Sequence, residues 1–440
     1  MSTSLATIDQ RLQESLNDRI SVVCTTAIAA NTSIVSTNLL PFDGGNNDTF
    51  NTWWVYITDY ANAGVERQIA DYATTTGTIT VRGGNLASDG ASLATIEVTR
   101  TRRTNRVNAI NRAIEEVYPV LHKGVDDRSL IVGNWLPNSH FDYWAVSTNP
   151  LFYSLTTATA IADTTSGEYW SAGSSAKVTA SSGNGYLEIN SSAWPKLLDL
   201  ADSTVRFYCR AKPQTANDAV IEIYTRKADG TEQTITSSAS NPASRWTQLS
   251  LEDKKINAGI EYISIRFKVT TSGQYVIFDE ARLESSRGVN DYWLPQSLQR
   301  GTLQQTFLQT GGFSAYIVDD VQTPYWRPEQ SWTVTDDGSY RYLRLPDQTH
   351  TTARRIRLVG TSPLVTTALS AATDTIPLDA SGQLDMLVAY AKYRLYQIEG
   401  QPVSTQSRQS IQETKAEAYG EYQMLKNLHR MGSPSAVIKV

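Results

Sequence analysis

The feature that most constrains the fold is an apolar stripe of helical period whose partners lie far along the chain. Within Thr104–Lys123 apolar residues recur every three or four positions, so one helix face is continuously apolar. The stripe consists of Val107, Ile110, Ile114, Val117 and Leu121. Pro119 predicts that the helix ends or kinks near Tyr118. A single apolar face must be buried, and the next long helical patterns are Gln383–Glu399 and Ser407–His429. The spacing predicts a helical scaffold split by a long insertion.

The part of the chain before this helix is mostly strand-like. A short amphipathic helix with Ser4 as its cap is predicted for Ser4–Asp18. The apolar period then changes to two, and Gly, Asn and Asp clusters separate the segments. These predicted strands are Ile34–Thr37, Thr52–Thr58, Val65–Tyr72, Thr78–Arg82 and Thr95–Val98. Together they predict a small β-domain.

The insertion reads as a separate all-β domain, because Asn134–Glu284 has no helical pattern longer than about two turns. Its strands are predicted at Ser174–Ala180, Tyr186–Ile189, Val205–Lys212, Ala219–Arg226, Glu232–Ser237, Trp246–Leu251, Tyr262–Val269 and Tyr275–Leu283. Strands at this spacing favour a jelly roll of two antiparallel sheets. A hairpin is predicted at Trp332–Leu345, where an Asp-Gly pair marks the turn. The fold class is therefore α+β, with domains at 1–133, 134–286 and 287–440.

Composition limits the classes of function. The chain has 440 residues and a net charge of −5, which gives no general attraction to nucleic acid or to anionic membranes. We expect no signal peptide, because no basic stretch precedes an apolar run, and no membrane span. Synthesis in a cytoplasm is expected. Cys24 and Cys209 are expected to be two separate buried thiols rather than a disulfide.

The sequence does not favour an enzyme. The four histidines stand at no metal-ligand spacing from one another or from cysteine, and no nucleophile, phosphate-loop or dinucleotide motif occurs. Glu115 and Glu116 are adjacent on a helix and diverge by about 100°, so they cannot face each other across a sugar. Asp336 and Asp337 are explained by their turn. We therefore predict no catalytic residues.

A cluster of arginines joins the small β-domain to the helix that follows it. Five arginines so close together could face a nucleic-acid backbone or a protein partner. A solvated or salt-bridged helix face is the more common meaning of such a charge run. The cluster consists of Arg100, Arg102, Arg103, Arg106 and Arg112.

Two motifs in the insertion resemble a known family. NSHFDYW at Asn138–Trp144 is similar to the opening of the jelly-roll carbohydrate-binding modules found beside glycoside hydrolases, and YVIFDEARLE at Tyr275–Glu284 to their closing strand. The resemblance implies a β-sandwich, commonly with a structural calcium. Asp279 matches the family's calcium-ligating acid, and Asp142 stands near the position of the acid expected by the first strand. No other cofactor is implied.

Sugar binding is also favoured by the aromatic content of the insertion, because aromatic faces stack on the apolar faces of pyranose rings. Most of these rings must fill the space between two sheets about 10 Å apart. We expect one to three to be exposed, and Tyr169 and Trp170 in the polar loop SGEYWSAG are the best candidates.

The remaining half of the chain resembles head-to-tail adaptor (connector) proteins of tailed bacteriophages. The matching segments are Phe50–Thr58, Arg354–Gly360 and Asp385–Tyr396. The resemblance implies a ring of subunits, usually twelve, beneath the portal in the virion neck. It implies contacts with the portal and other neck or tail proteins, and places the arginine cluster facing the portal or the genome DNA.

The sequence therefore predicts a structural virion protein, an adaptor ring that carries an outward β-sandwich able to bind surface glycans. The first alternative is a tail-fibre-type or host-recognition protein in which the sandwich binds carbohydrate and the helices only attach it. The second is a carbohydrate-active enzyme with a binding module.

Overall fold

The structure is a computed structural model that describes residues 2–171, 173–309, 326–345, 354–365, 367–378, 380–399, 405–429 and 431, with side chains in the last helix from residue 412 onward. The described chain groups into two compact units. The first unit contains residues 1–123 together with the helical C-terminal part from Ser362. The second unit is formed by Gly124–Thr361.

The helices lie at the two ends of the described chain, apart from one short turn. In chain order they are α1 (Leu5–Ser15), α2 (Arg103–Glu116), α3 (Gln296–Gln299), α4 (Ser381–Glu399) and α5 (Thr405–His429).

Strands make up most of what lies between them. As far as Asn190 they are β1 (Thr3–Ser4), β2 (Ile20–Val23), β3 (Ser33–Val35), β4 (Trp54–Ile57), β5 (Glu66–Ala73), β6 (Thr78–Val81), β7 (Thr95–Thr99), β8 (Lys123–Ile131), β9 (Trp144–Val146), β10 (Asn149–Pro150), β11 (Ser154–Thr156), β12 (Ala158–Asp163), β13 (Ser175–Ala180) and β14 (Gly185–Asn190). The later strands are β15 (Thr204–Pro213), β16 (Ala219–Lys227), β17 (Glu232–Thr236), β18 (Thr247–Lys255), β19 (Ile260–Val269), β20 (Tyr275–Ser285), β21 (Asp291–Trp293), β22 (Thr302–Gln309), β23 (Trp326–Glu329), β24 (Thr333–Asp336), β25 (Arg341–Arg344), β26 (Arg355–Ser362) and β27 (Thr375–Ile376).

In the first unit, α4 packs against α1, α2 and α5. The predicted stripes meet in one core, where Ile110 and Ile114 of α2 lie with Leu384 and Leu387 of α4. The Ser4 hydroxyl caps α1 by accepting the N–H of Thr7 at 3.2 Å, as predicted. The helix α2 ends before Pro119, also as predicted.

The first unit also contains a six-stranded antiparallel sheet in the order β2-β7-β4-β5-β6-β3. Its buried side is filled by apolar residues at alternate strand positions, with Phe50 packed edge-on against Tyr72 at a centroid distance of 4.8 Å. The predicted small β-domain is this sheet.

The second unit is built on a β-sandwich of two five-stranded antiparallel sheets. We call the sheet β11-β14-β19-β16-β17 the front sheet and the sheet β12-β13-β20-β15-β18 the back sheet. All eight predicted strands form. Two strands that were not predicted complete the sheets, β11 in the front sheet and β12 in the back sheet. Phe267 of the front sheet packs edge-on against Phe207 and Phe278 of the back sheet, so the core lies between the two layers. The β-sandwich prediction is confirmed.

The residues that follow the sandwich differ from expectation. The sequence grouped 287–440 as one domain, whereas Trp293 and Tyr342 bury their rings in the sandwich core. A three-stranded sheet (β21-β25-β24) and a four-stranded sheet (β23-β22-β26-β8) complete the second unit. The predicted hairpin joins β24 to β25, and Gly338 adopts the left-handed φ of +87° that its turn requires. Whether 134–286 folds alone stays a prediction.

Two smaller predictions concern cysteines and membranes. Cys24 and Cys209 are both buried free thiols, as predicted. Among the described helices, none combines the length and the apolar character needed to cross a bilayer.

Candidate functional site

The outer side of the front sheet carries a row of aromatic and charged side chains that contact one another. Strand alternation produces it, because successive side chains point to opposite sides of a sheet. In β19, Ile265 and Phe267 fill the core while Arg266 and Lys268 point outward. The same alternation in β14 and β16 turns their tyrosines and glutamates outward.

Strand register places two glutamates on either side of one arginine. Glu188 of β14 and Glu222 of β16 are both directly opposite Arg266 of β19. Arg266 Nε lies 3.3 Å from Glu188 Oε2, and its Nη1 lies 2.9 Å from Glu222 Oε1. The glutamates are only 8% and 5% exposed, so their charges need this pairing. Lys268 Nζ, at 3.5 Å from Glu222, adds a second positive charge.

Three half-buried tyrosines surround this row. The Arg266 guanidinium carbon lies 4.7 Å from the ring centroid of Tyr186 and 4.2 Å from that of Tyr224, both within cation–π range. Tyr262 meets Tyr224 edge-on at 6.1 Å. The Tyr224 hydroxyl donates to Glu232 at 2.5 Å, and this bond raises its pKa. We call this surface the tyrosine face: Tyr186, Glu188, Glu222, Tyr224, Tyr262 and Arg266.

The chemistry of the tyrosine face suits a polar ligand without charge. Its rings are held by ion-paired neighbours and can stack on a ring's apolar face. The two carboxylates are balanced by Arg266 and Lys268, so the row presents acceptors and donors with little net charge. Such a surface offers hydrogen bonds without a strong electrostatic preference for anions or cations.

The two predicted sugar-contacting aromatics lie elsewhere, in the loop before β13. Both Tyr169 and Trp170 are half-buried. The Arg210 guanidinium carbon sits 4.5 Å from the Trp170 ring centroid, and Trp246 packs edge-on at 6.0 Å. One side of the Trp170 ring is therefore covered by a cation. Sugar contact by Tyr169 and Trp170 stays a prediction.

The residues predicted to bind calcium do not fit a calcium site as they are placed. Asp279 is fully buried, and its carboxylate accepts backbone N–H groups of Trp170, Ser171 and Glu280 at 2.7, 2.8 and 2.6 Å. A cation would have to compete with these donors, whose positive ends face the same oxygens. Among the residues described, no group of three or more His, Cys, Asp or Glu side chains could hold a metal ion.

Burial raises the pKa of both carboxyls that were predicted to bind calcium, Asp279 and Asp142. It raises the pKa of Asp279 to about 7, against the N–H donors that favour the ionised form. It raises the pKa of Asp142 to about 8, where the Ser174 hydroxyl at 3.1 Å opposes the shift and the nearby Asp279 adds to it. Asp279 thus anchors the loop that carries Trp170, and Asp142 is a half-buried carboxyl whose pKa lies well above its usual range.

For Arg106 the predicted role in facing a portal or DNA is wrong. Its side chain has no exposed surface. Arg106 Nε and Nη2 donate to the two carboxylate oxygens of Asp9 at 2.7 and 3.2 Å, and Nη1 donates to the Thr101 carbonyl at 2.6 Å. The residue ties α1, α2 and the end of β7 together in the first unit, so no partner can reach it.

The other four arginines of the cluster divide into two kinds. Arg100, Arg102 and Arg103 each lie over an aromatic ring, at 4.8, 4.8 and 4.3 Å respectively. The rings belong to Trp53, Trp54 and Tyr56. Arg102 also pairs with Glu66 and Arg103 with Asp9, which agrees with a salt-bridged face. Arg112 is exposed on α2. Contact of these four with portal or DNA stays a prediction.

Comparison with known proteins gives no family. No family model matches this chain, and no curated protein matches it. Among solved structures, TmCBM61 in complex with beta-1,4-galactotriose aligns with 34% of this chain and 97% of its own, at 13% identity and a TM-score of 0.25. The C-terminal family 22 carbohydrate binding module of Clostridium thermocellum Xyn10B aligns with 36% of this chain and 96% of its own, at 12% identity and a TM-score of 0.28.

A third solved structure comes from a phage. The enzymatically active domain of bacteriophage CBA120 tailspike protein 4 aligns over 35% of this chain and 21% of that one, at 11% identity and a TM-score of 0.27. This chain therefore spans about a fifth of the length of that tailspike domain. Identities and TM-scores this low decide nothing about the ligand of this protein.

The sequence alone did not single out the tyrosine face. Its tyrosines are scattered over three strands, and only the register brings them to one surface. A usable signal existed in the predicted strands, because Tyr186, Tyr224 and Tyr262 each stand next to core-forming positions and so must point outward.

Proposed function

We propose that this protein binds glycans through its β-sandwich, with the ligand on the tyrosine face. The observation that carries the proposal is the set of three tyrosine rings held on one outer sheet surface around an ion-paired arginine. This function corresponds to the first alternative predicted from the sequence, a tail-fibre-type or host-recognition protein in which the sandwich binds carbohydrate.

The physical basis of this proposal is that the side chains of the tyrosine face lose little conformational entropy when a ligand binds. The Tyr186 and Tyr224 rings pack against Arg266, which is itself fixed by Glu188 and Glu222, so their rotamers are set before a ligand arrives. Rigid aromatic side chains give contact area at low entropic cost. Because Arg266 is engaged by two carboxylates, a neutral glycan is favoured over a sulfated or uronic-acid polymer.

The test compares two tyrosines in matched surroundings on opposite sheets. Tyr224 on the front sheet lies under Arg266 and donates to Glu232. Tyr208 on the back sheet lies under Arg282 at 4.7 Å and donates to Glu252 at 3.0 Å. Tyr224→Ala and Tyr208→Ala therefore remove similar contacts from different surfaces.

We expect the wild-type protein and Tyr208→Ala to bind the same neutral glycans on an array, with affinities measured by calorimetry. Tyr224→Ala should lose about fivefold or more in affinity, since a stacked aromatic contributes on the order of 1 kcal/mol or more. Absence of binding to any neutral glycan, or equal affinity of the two variants, would contradict the proposal.

A second proposal concerns the first unit, where the adaptor-ring role rests on the three segments similar to phage adaptors. What supports it is the packing of α1, α2 and α5 around α4 beside a six-stranded sheet. The ring, its contact with a portal and its place in the virion neck belong to this second proposal. The absence of catalytic activity stays a prediction of the sequence.

A further inference from the structure

A cavity of about 220 Å³ lies in the second unit, where the chain enters and leaves the sandwich. Its walls come from the segment before β9, from the short 3-10 helix Pro195–Leu200 and from the segment leading into β21. The tryptophans of the wall are Trp135, Trp194 and Trp293. The cavity shares no residue with the tyrosine face.

The aromatic wall contains hydrogen-bond donors without acceptors. Trp135 and Trp293 are 8% and 3% exposed, and the indole N–H of each has no hydrogen-bond partner. A buried donor without a partner is costly, and a ligand oxygen seated among these rings would supply one. The Trp194 indole N–H is already used, because it donates to the Trp135 carbonyl at 3.1 Å.

Two of the charged groups that line the cavity, Lys196 and Asp291, lie close to each other. Lys196 Nζ lies 3.9 Å from Asp291 Oδ2 and 4.0 Å from the ring centroid of Tyr342. Burial lowers the pKa of Lys196, with Asp291 opposing the shift. Asp291 also accepts two hydrogen bonds from Arg344, at 2.7 and 2.9 Å. A charged ligand would therefore find no unmatched partner in this pair, whereas hydroxyl groups could bond to either member.

We propose that this cavity is a second, separate saccharide site that takes one neutral pyranose ring. Pockets for drug-sized ligands measure about 300–1,000 Å³, so this cavity suits a smaller molecule of roughly one ring. Aromatic walls match the apolar face of the ring, and Lys196, Asp199 and the indole N–H groups match its hydroxyls. The site does not depend on ligand binding at the tyrosine face.

The cavity can be blocked at Gly288, a lining residue with an ordinary backbone conformation. A Cβ atom added there meets no heavy atom within 4 Å, so Gly288→Leu adds a bulky side chain at this lining residue without a clash at Cβ. Gly124 in β8 has the same freedom and does not line the cavity, which makes Gly124→Leu the matched control.

The probes are the methyl glycosides of glucose, galactose, mannose and xylose, with cyclohexanol as a ring that lacks the hydroxyl pattern. Saturation-transfer NMR on the full chain should detect at least one glycoside with the wild type, Gly124→Leu and Tyr224→Ala. With Gly288→Leu its affinity should fall by about tenfold or more. Thermal unfolding of both glycine variants should stay close to that of the wild type.

Three results would overturn the proposal: no glycoside binds, Gly288→Leu binds as well as Gly124→Leu, or cyclohexanol binds as tightly as the best glycoside. Loss of binding in Tyr224→Ala but not in Gly288→Leu would place the sugar on the tyrosine face instead. The two proposals can therefore fail separately.

Discussion

At the scale of single residues, Arg106 shows that a residue of a charged cluster can stabilise the fold instead of binding a partner. Arg106→Met should destabilise the first unit by about 3 kcal/mol or more, because it leaves the Asp9 carboxylate, 3% exposed, without its main partner. Urea unfolding followed by circular dichroism measures this. Arg112→Met is the control, since an exposed arginine should change stability by less than about 0.5 kcal/mol. Equal midpoints for the two variants would show that the buried pair contributes nothing.

A second residue-scale prediction concerns Asp142, whose pKa burial raises to about 8, with Ser174 opposing and Asp279 adding to the shift. An unfolded aspartate has a pKa near 3.9, so between about pH 4 and pH 8 the unfolded state loses a proton that the folded state keeps. The second unit should therefore lose stability as pH rises through this window. Asp142→Asn should make that dependence shallower in melting temperatures measured from pH 5 to 9, and the part due to Asp279, whose pKa burial raises to about 7, should remain.

The control for this pH series is Asp253→Asn. Asp253 is exposed, and its hydrogen bond to Arg206 lowers its pKa, so its contribution to stability is constant above about pH 5 and is lost only in acid. Asp253→Asn should therefore leave the slope of stability against pH unchanged from pH 5 to 9. If Asp142→Asn and Asp253→Asn respond alike from pH 5 to 9, the pKa of the Asp142 carboxyl is not raised in the folded protein.

At the scale of elements, the loop before β13 is held by Asp279 through backbone N–H groups. Because these donors occupy the carboxylate, addition of about 5 mM calcium should leave the melting temperature of the second unit unchanged, since only a ligand that binds the folded state raises it. The comparison is the same protein in EDTA. A clear rise with calcium, lost in Asp142→Asn, would restore the calcium site predicted from the sequence.

The elements also show what sequence reasoning can reach. The alternation of apolar and polar residues predicted every strand between Ser174 and Leu283, because a strand with one buried side has an apolar residue at every second position. The packing of α2 on α4 was predicted for the same reason, from two apolar stripes. The burial of Arg106 was not, because its partner Asp9 lies in another helix and no local pattern records that contact. Trp293 was likewise assigned to the domain 287–440, although its ring belongs to the sandwich core.

At the scale of the whole molecule, the two proposed functions belong to different units, attachment to the first and glycan binding to the second. If the first unit forms an adaptor ring, the full chain should sediment with a portal ring as a complex of defined mass. Arg100, Arg102 and Arg112 are the exposed members of the cluster, and Arg102 already pairs with Glu66. Arg100→Glu with Arg112→Glu should therefore remain folded and fail to co-sediment. Charge reversal at an exposed contact mainly disrupts docking and its register, and scarcely affects the fold.

The matched control for this docking experiment is Arg206→Glu with Lys254→Glu, which reverses two charges on the back sheet of the other unit. It should co-sediment like the wild type if the first unit makes the contact. If the wild type does not sediment with a portal at any concentration, attachment of this kind is wrong. Glycan binding by the second unit, which depends on none of these arginines, would then be the function that remains to be measured.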